Sequence, residues 1–138
     1  MENLQSVEEF QQLKNEEAIV FVFSANWCKD CVFIEPFMPE VVERFSNIRF
    51  VKVDRDQFID LCIELDVFGI PSFLAYSKGV ETGRLVSKDR KTQEEIETFI
   101  ENLKKQTKRI VLVANELFTA RQSLYFLHQL SSLYLSMF

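Results

Sequence analysis

The sequence is poor in cysteine, with three in 138 residues, and it lacks the features of several protein classes. Cys28, Cys31 and Cys62 are too few, and odd in number, for the disulfide framework of a small secreted domain. The formal net charge is −5 and there is no basic stripe, which argues against general nucleic-acid binding. Residues 1–17 contain no apolar stretch and no cleavage motif, and therefore predict no secretory signal.

What the chain does contain is typical of a globular protein. Hydrophobic residues make up 47% of it and charged residues 27%, and phenylalanine is abundant, with 14 residues. A chain of 138 residues is long enough for one domain that buries its own core.

The run AIVFVF, residues 18–23, is short, apolar and mostly branched or aromatic, and predicts a strand buried on both faces. Further strands are predicted over 48–53, 72–76 and about 80–86. The first two runs flank a helical pattern, and such a β-α-β unit favours parallel neighbours joined by a right-handed crossover. Gly79 lies between the last two runs, which predicts an antiparallel hairpin. The predicted fold class is therefore α/β, with a central mixed sheet covered by helices on both faces.

Capping signals and apolar periodicity predict where two of the helices begin. Ser6 and Glu9 fit a capping box that opens a helix over about 6–15, and Thr92 and Glu95 fit a second capping box. We expect the second of these helices to bury a face that carries Ile96, Phe99, Ile100 and Leu103.

Two further helical patterns contain residues that we interpret individually. Pro36 predicts a kink in the helix that follows the close cysteine pair, because proline lacks a backbone donor and clashes with the preceding turn. Ile59, Cys62 and Ile63 share one face of a short helix, so we interpret Cys62 as a core residue. His128 is interpreted as a residue on a helix face rather than as a base.

Residues 106–138 differ in kind from the rest of the chain, because residues 122–138 contain no Asp, Glu, Lys or Arg. Apolar residues near a three-four spacing predict one or two helices here; they are Ile110, Val113, Leu117, Ala120, Leu124, Leu127, Tyr134 and Phe138. A membrane span needs about 20 apolar residues, and polar side chains interrupt this run. We interpret the segment as an extension that packs on the domain or on a second copy, with membrane attachment and an ill-ordered tail as the alternatives.

The stretch SANWCKDC, residues 24–31, places two cysteines two residues apart where a predicted strand passes into a helix. The unpaired N–H groups and the dipole of the first helical turn favour negative charge, so we expect Cys28 to be the nucleophilic thiolate. Cys31, one turn later, can then resolve a mixed disulfide by attacking Cys28. A zinc site is disfavoured because no second close Cys or His pair accompanies this one. A purely structural pair is the remaining alternative.

These features together make the chain resemble the thioredoxin family. The resemblance rests on WCKDC with the strand before it, on Pro36 five residues further on, and on GIPS at 69–72. It covers about residues 4–105 and implies a thioredoxin-like domain over 1–105, which leaves the extension 106–138 outside it.

The resemblance also implies the residues that contact substrate. Pro71 would follow a cis peptide bond and face the dithiol, a geometry that requires proline. Ile70 would present its backbone to an extended substrate chain, as in the addition of a strand to a sheet. Trp27 would flank the reactive sulfur as a flat apolar contact.

The sequence departs from the family pattern at three places. Lys29 and Asp30 stand where typical thioredoxins have Gly-Pro; Lys29 favours a thiolate at the first cysteine and Asp30 opposes ionisation of either sulfur, so both are interpreted as redox-tuning residues. Val22 stands where the family buries an Asp and Phe50 where it has the accompanying Lys, so we expect the charge pair to be replaced as a unit and resolution to be slow. Ser87 stands where many members have Gly beside the substrate groove.

The resemblance implies a cytoplasmic thiol-disulfide oxidoreductase that reduces protein disulfides through the Cys28 and Cys31 dithiol. It implies no bound cofactor and no metal ion, with reducing equivalents from a separate flavin-dependent reductase. We expect no nucleic-acid partner and no membrane contact. The alternative is a thioredoxin-fold interaction module, in which 106–138 mediates a homodimer or binds a partner and the dithiol is a weak sensor.

Overall fold

The computed structural model describes the backbone of residues 1–136 and the side chains of residues 1–129 except Thr107 and Ile110. Within this part the elements in chain order are β1 (Glu2–Asn3), α1 (Val7–Leu13), β2 (Ile19–Ser24), α2 (Lys29–Ile34), α3 (Met38–Arg44), β3 (Arg49–Asp54), α4 (Ile59–Glu64), β4 (Ser72–Ser77), β5 (Val80–Leu85) and α5 (Gln93–Ser136).

The strands form one mixed sheet in the order β1-β3-β2-β4-β5. Strand β2 runs parallel to β3 and antiparallel to β4, and β4 and β5 form the predicted antiparallel hairpin. Gly79 in the hairpin turn has a φ of 85°, a conformation that glycine adopts without strain. The predicted fold class, α/β with a central mixed sheet, is confirmed.

Every residue of β2 is buried, because the sheet is covered on both faces. Phe21 lies on the face covered by α1 and α4, where its ring centroid is 4.7 Å from that of Phe10. Val22 lies on the opposite face, among side chains of α2, α3 and α5. The alternation of a strand therefore places Val22 on the side of the sheet where the close cysteine pair begins its helix.

The helix predicted after the cysteine pair is interrupted rather than kinked. Helix α2 ends at Ile34 and α3 begins at Met38, with Pro36 in the turn between them. Pro36 removes a backbone donor, and Pro39 occupies the first turn of α3, where a missing donor is tolerated. The prediction of one kinked helix is therefore wrong.

The buried face of α4 also differs from the prediction. Leu61 and Cys62 are buried, which confirms Cys62 as a core residue, but Ile63 is 69% exposed. The helix packs through Phe58, Leu61 and Cys62. The neighbouring stripe, with Ile59 and Ile63, faces outward instead.

Both predicted capping boxes lie at helix starts. The Ser6 hydroxyl accepts a hydrogen bond from Glu9 N, at 3.1 Å. At the start of α5 the exchange is reciprocal: Thr92 Oγ1 accepts from Glu95 N at 3.2 Å and Glu95 Oε2 accepts from Thr92 N at 3.3 Å. These bonds satisfy N–H groups that have no partner within a helix.

The chain divides into two compact units, Met1–Leu103 and a second that starts at Lys104. The helical prediction for the extension is confirmed as far as Ser136, and the described side chains over 111–129 are exposed. Among the described helices, none is both long and apolar enough to cross a membrane. The domain boundary at 105 and the packing of 106–138 stay predictions.

Candidate active site

Cys28 lies where β2 passes into α2 and is the N-cap residue of that helix. Its Sγ accepts a hydrogen bond from Cys31 N at 3.2 Å, so a backbone donor is directed at the sulfur. The same thiol is 3.8 Å from the Ile70 carbonyl oxygen, to which it donates. The sulfur is thus placed between the first turn of α2 and the residue before Pro71.

Cys31 is 1% exposed, with its side chain one turn into α2. The pKa of the Cys31 thiol is raised to about 11, mainly by burial and also by its hydrogen bond with Cys28, while Ser24 and the Ala25 backbone act in the opposite direction. At neutral pH Cys31 therefore carries its proton.

The Ile70–Pro71 peptide bond is cis, as the resemblance predicted. Ile70 is partly buried and packs against Ala25, Cys28 and Cys31. The loop before it requires Gly69, because a side chain there would collide with the Ser87 carbonyl. Ile70 is thereby held beside the dithiol.

A groove of about 510 Å³ opens beside Cys28. Its apolar lining includes Trp27, Ile59, Ile63, Phe68 and Ile70. Three of these side chains, those of Trp27, Ile63 and Phe68, are between 64% and 69% exposed. Exposed apolar side chains gathered in one groove are typical of a surface that binds an extended polypeptide.

Trp27 is held in place by residues that sequence reasoning missed. Its indole Nε1 donates to Asp56 Oδ2 at 2.7 Å, and the Arg55 guanidinium lies 5.8 Å from the ring centroid. Both partners come from the end of β3, so no local motif around WCKDC signals them. The contacts fix the ring while leaving its apolar face exposed.

The two residues between the cysteines have different surroundings. Asp30 Oδ1 accepts from Arg90 Nε at 2.7 Å, and the Arg90 guanidinium also lies 4.4 Å from the Phe33 ring centroid. Arg90 was not singled out in the sequence, because sixty residues separate it from Asp30. Lys29 lines the groove with Cys28. The charge of Asp30 is therefore balanced locally, while Lys29 faces the groove.

Ser87, which replaces a glycine of the family pattern, is joined to a buried lysine. Its carbonyl accepts from Lys91 Nζ at 2.7 Å, and Lys91 is 1% exposed. Burial lowers the pKa of Lys91, while Asp89 and the two thiols act in the opposite direction. The loop that precedes α5 thus holds a buried lysine whose charge interacts with both thiols of the pair.

The two residues that replace the charge pair of the family pattern are both apolar and buried: Val22 is 1% and Phe50 4% exposed, in the same core cluster. In the sheet register Val22 pairs with Lys52, and Phe50 pairs with Val20. Replacement of the two charges as a unit stays a prediction. Lys52 Nζ lies 3.6 Å from Glu35 Oε1, so its acidic partner comes from the end of α2.

All three cysteines are free, and Cys62 has a raised pKa because it is buried. Among the described residues, no group of three or more His, Cys, Asp or Glu side chains is arranged to hold a metal ion.

A dithiol at a strand-to-helix junction, with its first sulfur 3.8 Å from the carbonyl oxygen of the residue before a cis-proline, defines a thiol-disulfide oxidoreductase of the thioredoxin type. The Thioredoxin family model matches residues 3–113 of the chain. The chain belongs to the thioredoxin family.

Similar sequences are themselves thioredoxins. A thioredoxin H-type of Fagopyrum esculentum is 38% identical over 80 residues, which cover 57% of this chain and 69% of the relative. A thioredoxin of Bos taurus is 35% identical over 86 residues, covering 60% of this chain and 82% of the relative.

Solved structures give the same result. The crystal structure of thioredoxin from Trypanosoma brucei brucei has a TM-score of 0.67 at 25% identity, over 75% of this chain and 89% of that one. Oxidised mitochondrial thioredoxin 3 of Saccharomyces cerevisiae has a TM-score of 0.66 at 25% identity, over 74% of this chain and 94% of that one.

The protein is therefore a thiol-disulfide oxidoreductase that acts on disulfide-containing proteins. Thioredoxins bind no cofactor of their own. The alternative of an interaction module with a weak or sensory dithiol is not favoured by these relatives.

Proposed function

We propose that Cys28 is the nucleophile and Cys31 the resolving thiol of this reductase. Cys28 attacks one sulfur of a substrate disulfide, and the second substrate sulfur leaves as a thiolate. Cys31 then loses its proton and attacks Cys28 Sγ, so that the first substrate sulfur leaves and a Cys28–Cys31 disulfide remains. The observation that carries this assignment is the Cys28 sulfur, which receives the Cys31 N–H at the start of α2.

We propose that Trp27, Ile70 and Pro71 bind the substrate chain next to the disulfide. The exposed indole gives an apolar contact, and the Ile70 carbonyl at 3.8 Å from Cys28 Sγ is placed to pair with an extended backbone. Lys29 and Asp30 tune the redox properties of the dithiol. Lys29 lines the groove beside Cys28, and Asp30 forms an ion pair with Arg90.

The test is the reduction of a protein disulfide by dithiothreitol, with and without the protein. We expect wild type to accelerate the reaction, Cys28→Ser to abolish the acceleration, and Cys31→Ser to accumulate a mixed disulfide. Cys62→Ser is the matched control, because Cys62 is also a buried free thiol and should leave the acceleration unchanged. No acceleration by wild type, or equal acceleration by Cys28→Ser, would contradict the assignment.

We propose that a separate flavin-dependent disulfide reductase regenerates the dithiol, in the cytoplasm. The free thiols of this chain suit a reducing compartment. The first half is tested by coupling the protein to NADPH oxidation through such a reductase, with Cys28→Ser as the blank. Cell fractionation with an antibody against the chain tests the second half.

We propose that residues 106–138 mediate a homodimer. Val113, Leu117, Leu124 and Leu127 recur at three-four spacing and are between 53% and 68% exposed, which is unusual for side chains of this kind. Light scattering should give a dimer for the full chain and a monomer for Leu117→Gln/Leu124→Gln. The control pair Gln122→Ala/Gln129→Ala lies on the same helix and should stay dimeric. A monomeric full chain would contradict the proposal.

A further inference from the structure

A second cavity, of about 400 Å³, adjoins the resolving cysteine. Cys31, Val22 and Ser24 line it, together with Glu35 and Lys52. The rest of the lining is mainly apolar, with Ile34, Met38 and Val42 among it. Because β2 carries Val22 at this place, the strand brings no carboxylate into the cavity.

Two carboxylates line the cavity, and one of them, that of Glu35, follows directly after the helix that carries Cys31. It follows Cys31 by four residues, so the two side chains lie on the same side of α2. Lys52 Nζ, 3.6 Å from Glu35 Oε1, holds the carboxylate toward β3. The Glu35 side chain is also 56% exposed, so it contacts both the cavity and solvent.

Cys31 needs such a group, because a thiol does not attack a disulfide. It is 1% exposed, so bulk water does not reach it directly. The volume of the cavity is many times the roughly 30 Å³ that one water molecule occupies. The side chains of Ser24, Glu35 and Lys52 line the cavity and can form hydrogen bonds with water there.

We propose that Glu35 accepts the proton of Cys31 through water in this cavity when the mixed disulfide is resolved. The proposal rests on the roles proposed above for Cys28 and Cys31. The proton passes from Cys31 Sγ to the Glu35 carboxylate and from there to solvent. The thiolate then attacks Cys28 Sγ, the bond from Cys28 to the substrate sulfur breaks, and the substrate leaves with that electron pair.

Several other charged or titratable groups face Cys31 and its cavity. They are Cys28, which is hydrogen-bonded to Cys31; Met1, Glu43 and Lys52, which line the cavity; and Lys91 of the loop before α5, whose charge interacts with both thiols and with Asp30. The positive charges of Lys52 and Lys91 disfavour the binding of an additional proton by groups in the cavity. The charge of Asp30 is paired with Arg90. Glu43 is the one other carboxylate among the lining residues, but it lies on α3, outside the helix that carries Cys31.

The experiment follows the reaction of excess reduced protein with a chromogenic aromatic disulfide, dithiobis-nitrobenzoate, in a stopped-flow instrument. The first release of coloured thiol reports the attack by Cys28, and the second reports resolution by Cys31. We expect Glu35→Gln to slow the second release by about tenfold or more and to leave the first unchanged. Glu35→Asp should restore most of the rate, and Glu43→Gln, the matched control, should change neither release.

The pH profile separates proton transfer from a structural effect. In Glu35→Gln the second release should rise about tenfold per pH unit, because hydroxide must then take the proton, whereas wild type should have a flatter profile. An unchanged second release in Glu35→Gln, an equal loss in Glu43→Gln, or identical pH profiles would overturn the proposal. A missing first release in wild type would instead overturn the assignment of Cys28, so the two failures are distinguishable.

Discussion

Val22 is the residue that most separates this site from the pattern of its family. It is 1% exposed, lines the cavity beside Cys31 and pairs with Lys52. We predict that Val22→Asp speeds the second release of coloured thiol by about tenfold, because it places a carboxylate directly beside the resolving thiol. The same variant should lose about 1–3 kcal/mol of unfolding free energy, because the new charge is buried.

Val20→Asp is the matched control for this prediction. Val20 lies on the same strand and is equally buried, but it pairs with Phe50 and is absent from the lining of the cavity. It should lower the free energy of unfolding without speeding resolution. Equal rates for Val22→Asp and wild type would show that proton removal from Cys31 does not limit resolution.

Lys91 gives a prediction about pH. Its pKa is lowered from 10.5 by burial, so between neutral pH and 10.5 the unfolded chain binds more protons at this residue than the native state does. The contribution of Lys91 to stability therefore rises with pH over that range. We expect the urea midpoint of wild type to rise relative to that of Lys91→Met as pH rises. A difference that is independent of pH would contradict the burial of the charge.

At this scale the sequence singled out candidate site residues but not their partners. The spacing of Cys28 and Cys31 marks that pair, and the family resemblance adds Pro71. Arg90 reaches Asp30 across sixty residues, and Lys52 reaches Glu35 only because β3 lies beside β2. Such contacts depend on strand register, which a single sequence does not give.

The capping box at the start of α5 is the element-scale feature with the clearest energetic consequence. Thr92 Oγ1 accepts from Glu95 N, satisfying an N–H that has no partner within the helix. We predict that Thr92→Ala lowers the unfolding free energy by about 1 kcal/mol in urea titrations. Thr119→Ala is the control, because Thr119 is an exposed threonine within the same helix that donates to Asn115 O. Equal losses from both variants would contradict the capping role.

Elements were predictable where a pattern ran long enough to be periodic. The four predicted strands and the hairpin at Gly79 were confirmed: β2 and β4 are mainly apolar runs, and the turn glycine separates β4 from the more polar β5. Strand β1 was missed, since two residues, Glu2–Asn3, are too few for any pattern. The interruption at Pro36 was interpreted as a kink, because sequence alone does not show that a new helix starts at Met38.

For the whole molecule, we predict a loss of stability in alkali. Burial raises the pKa of Cys31 from 9.0 to about 11 and also raises those of Cys62 and Tyr76. The native state therefore keeps protons that the unfolded chain loses, so stability is full below pH 9.0 and falls as pH rises toward 11. Urea midpoints of the reduced protein over this range test the prediction. Cys31→Ser should give a shallower fall, and an unchanged slope would contradict it.

The division of the chain was foreseeable from its composition, but the role of its second part was not. Loss of charge after Arg121 predicted that 106–138 differ from the domain, and the helix as far as Ser136 agrees. Packing partners of an apolar helix depend on what other surfaces are present, which one sequence does not contain. The proposed homodimer is therefore tested by the molecular mass in solution, because the sequence pattern does not show it.

Trp27 is the one tryptophan in the chain, and the contacts with Asp56 and Arg55 fix it beside Cys28 with 64% of its surface exposed. All tryptophan emission of the protein therefore originates at the reactive dithiol. Oxidation, docking of a substrate chain and unfolding each change the surroundings of the same ring. The native protein thus carries its own optical reporter, and its redox state can be followed in real time without any attached label.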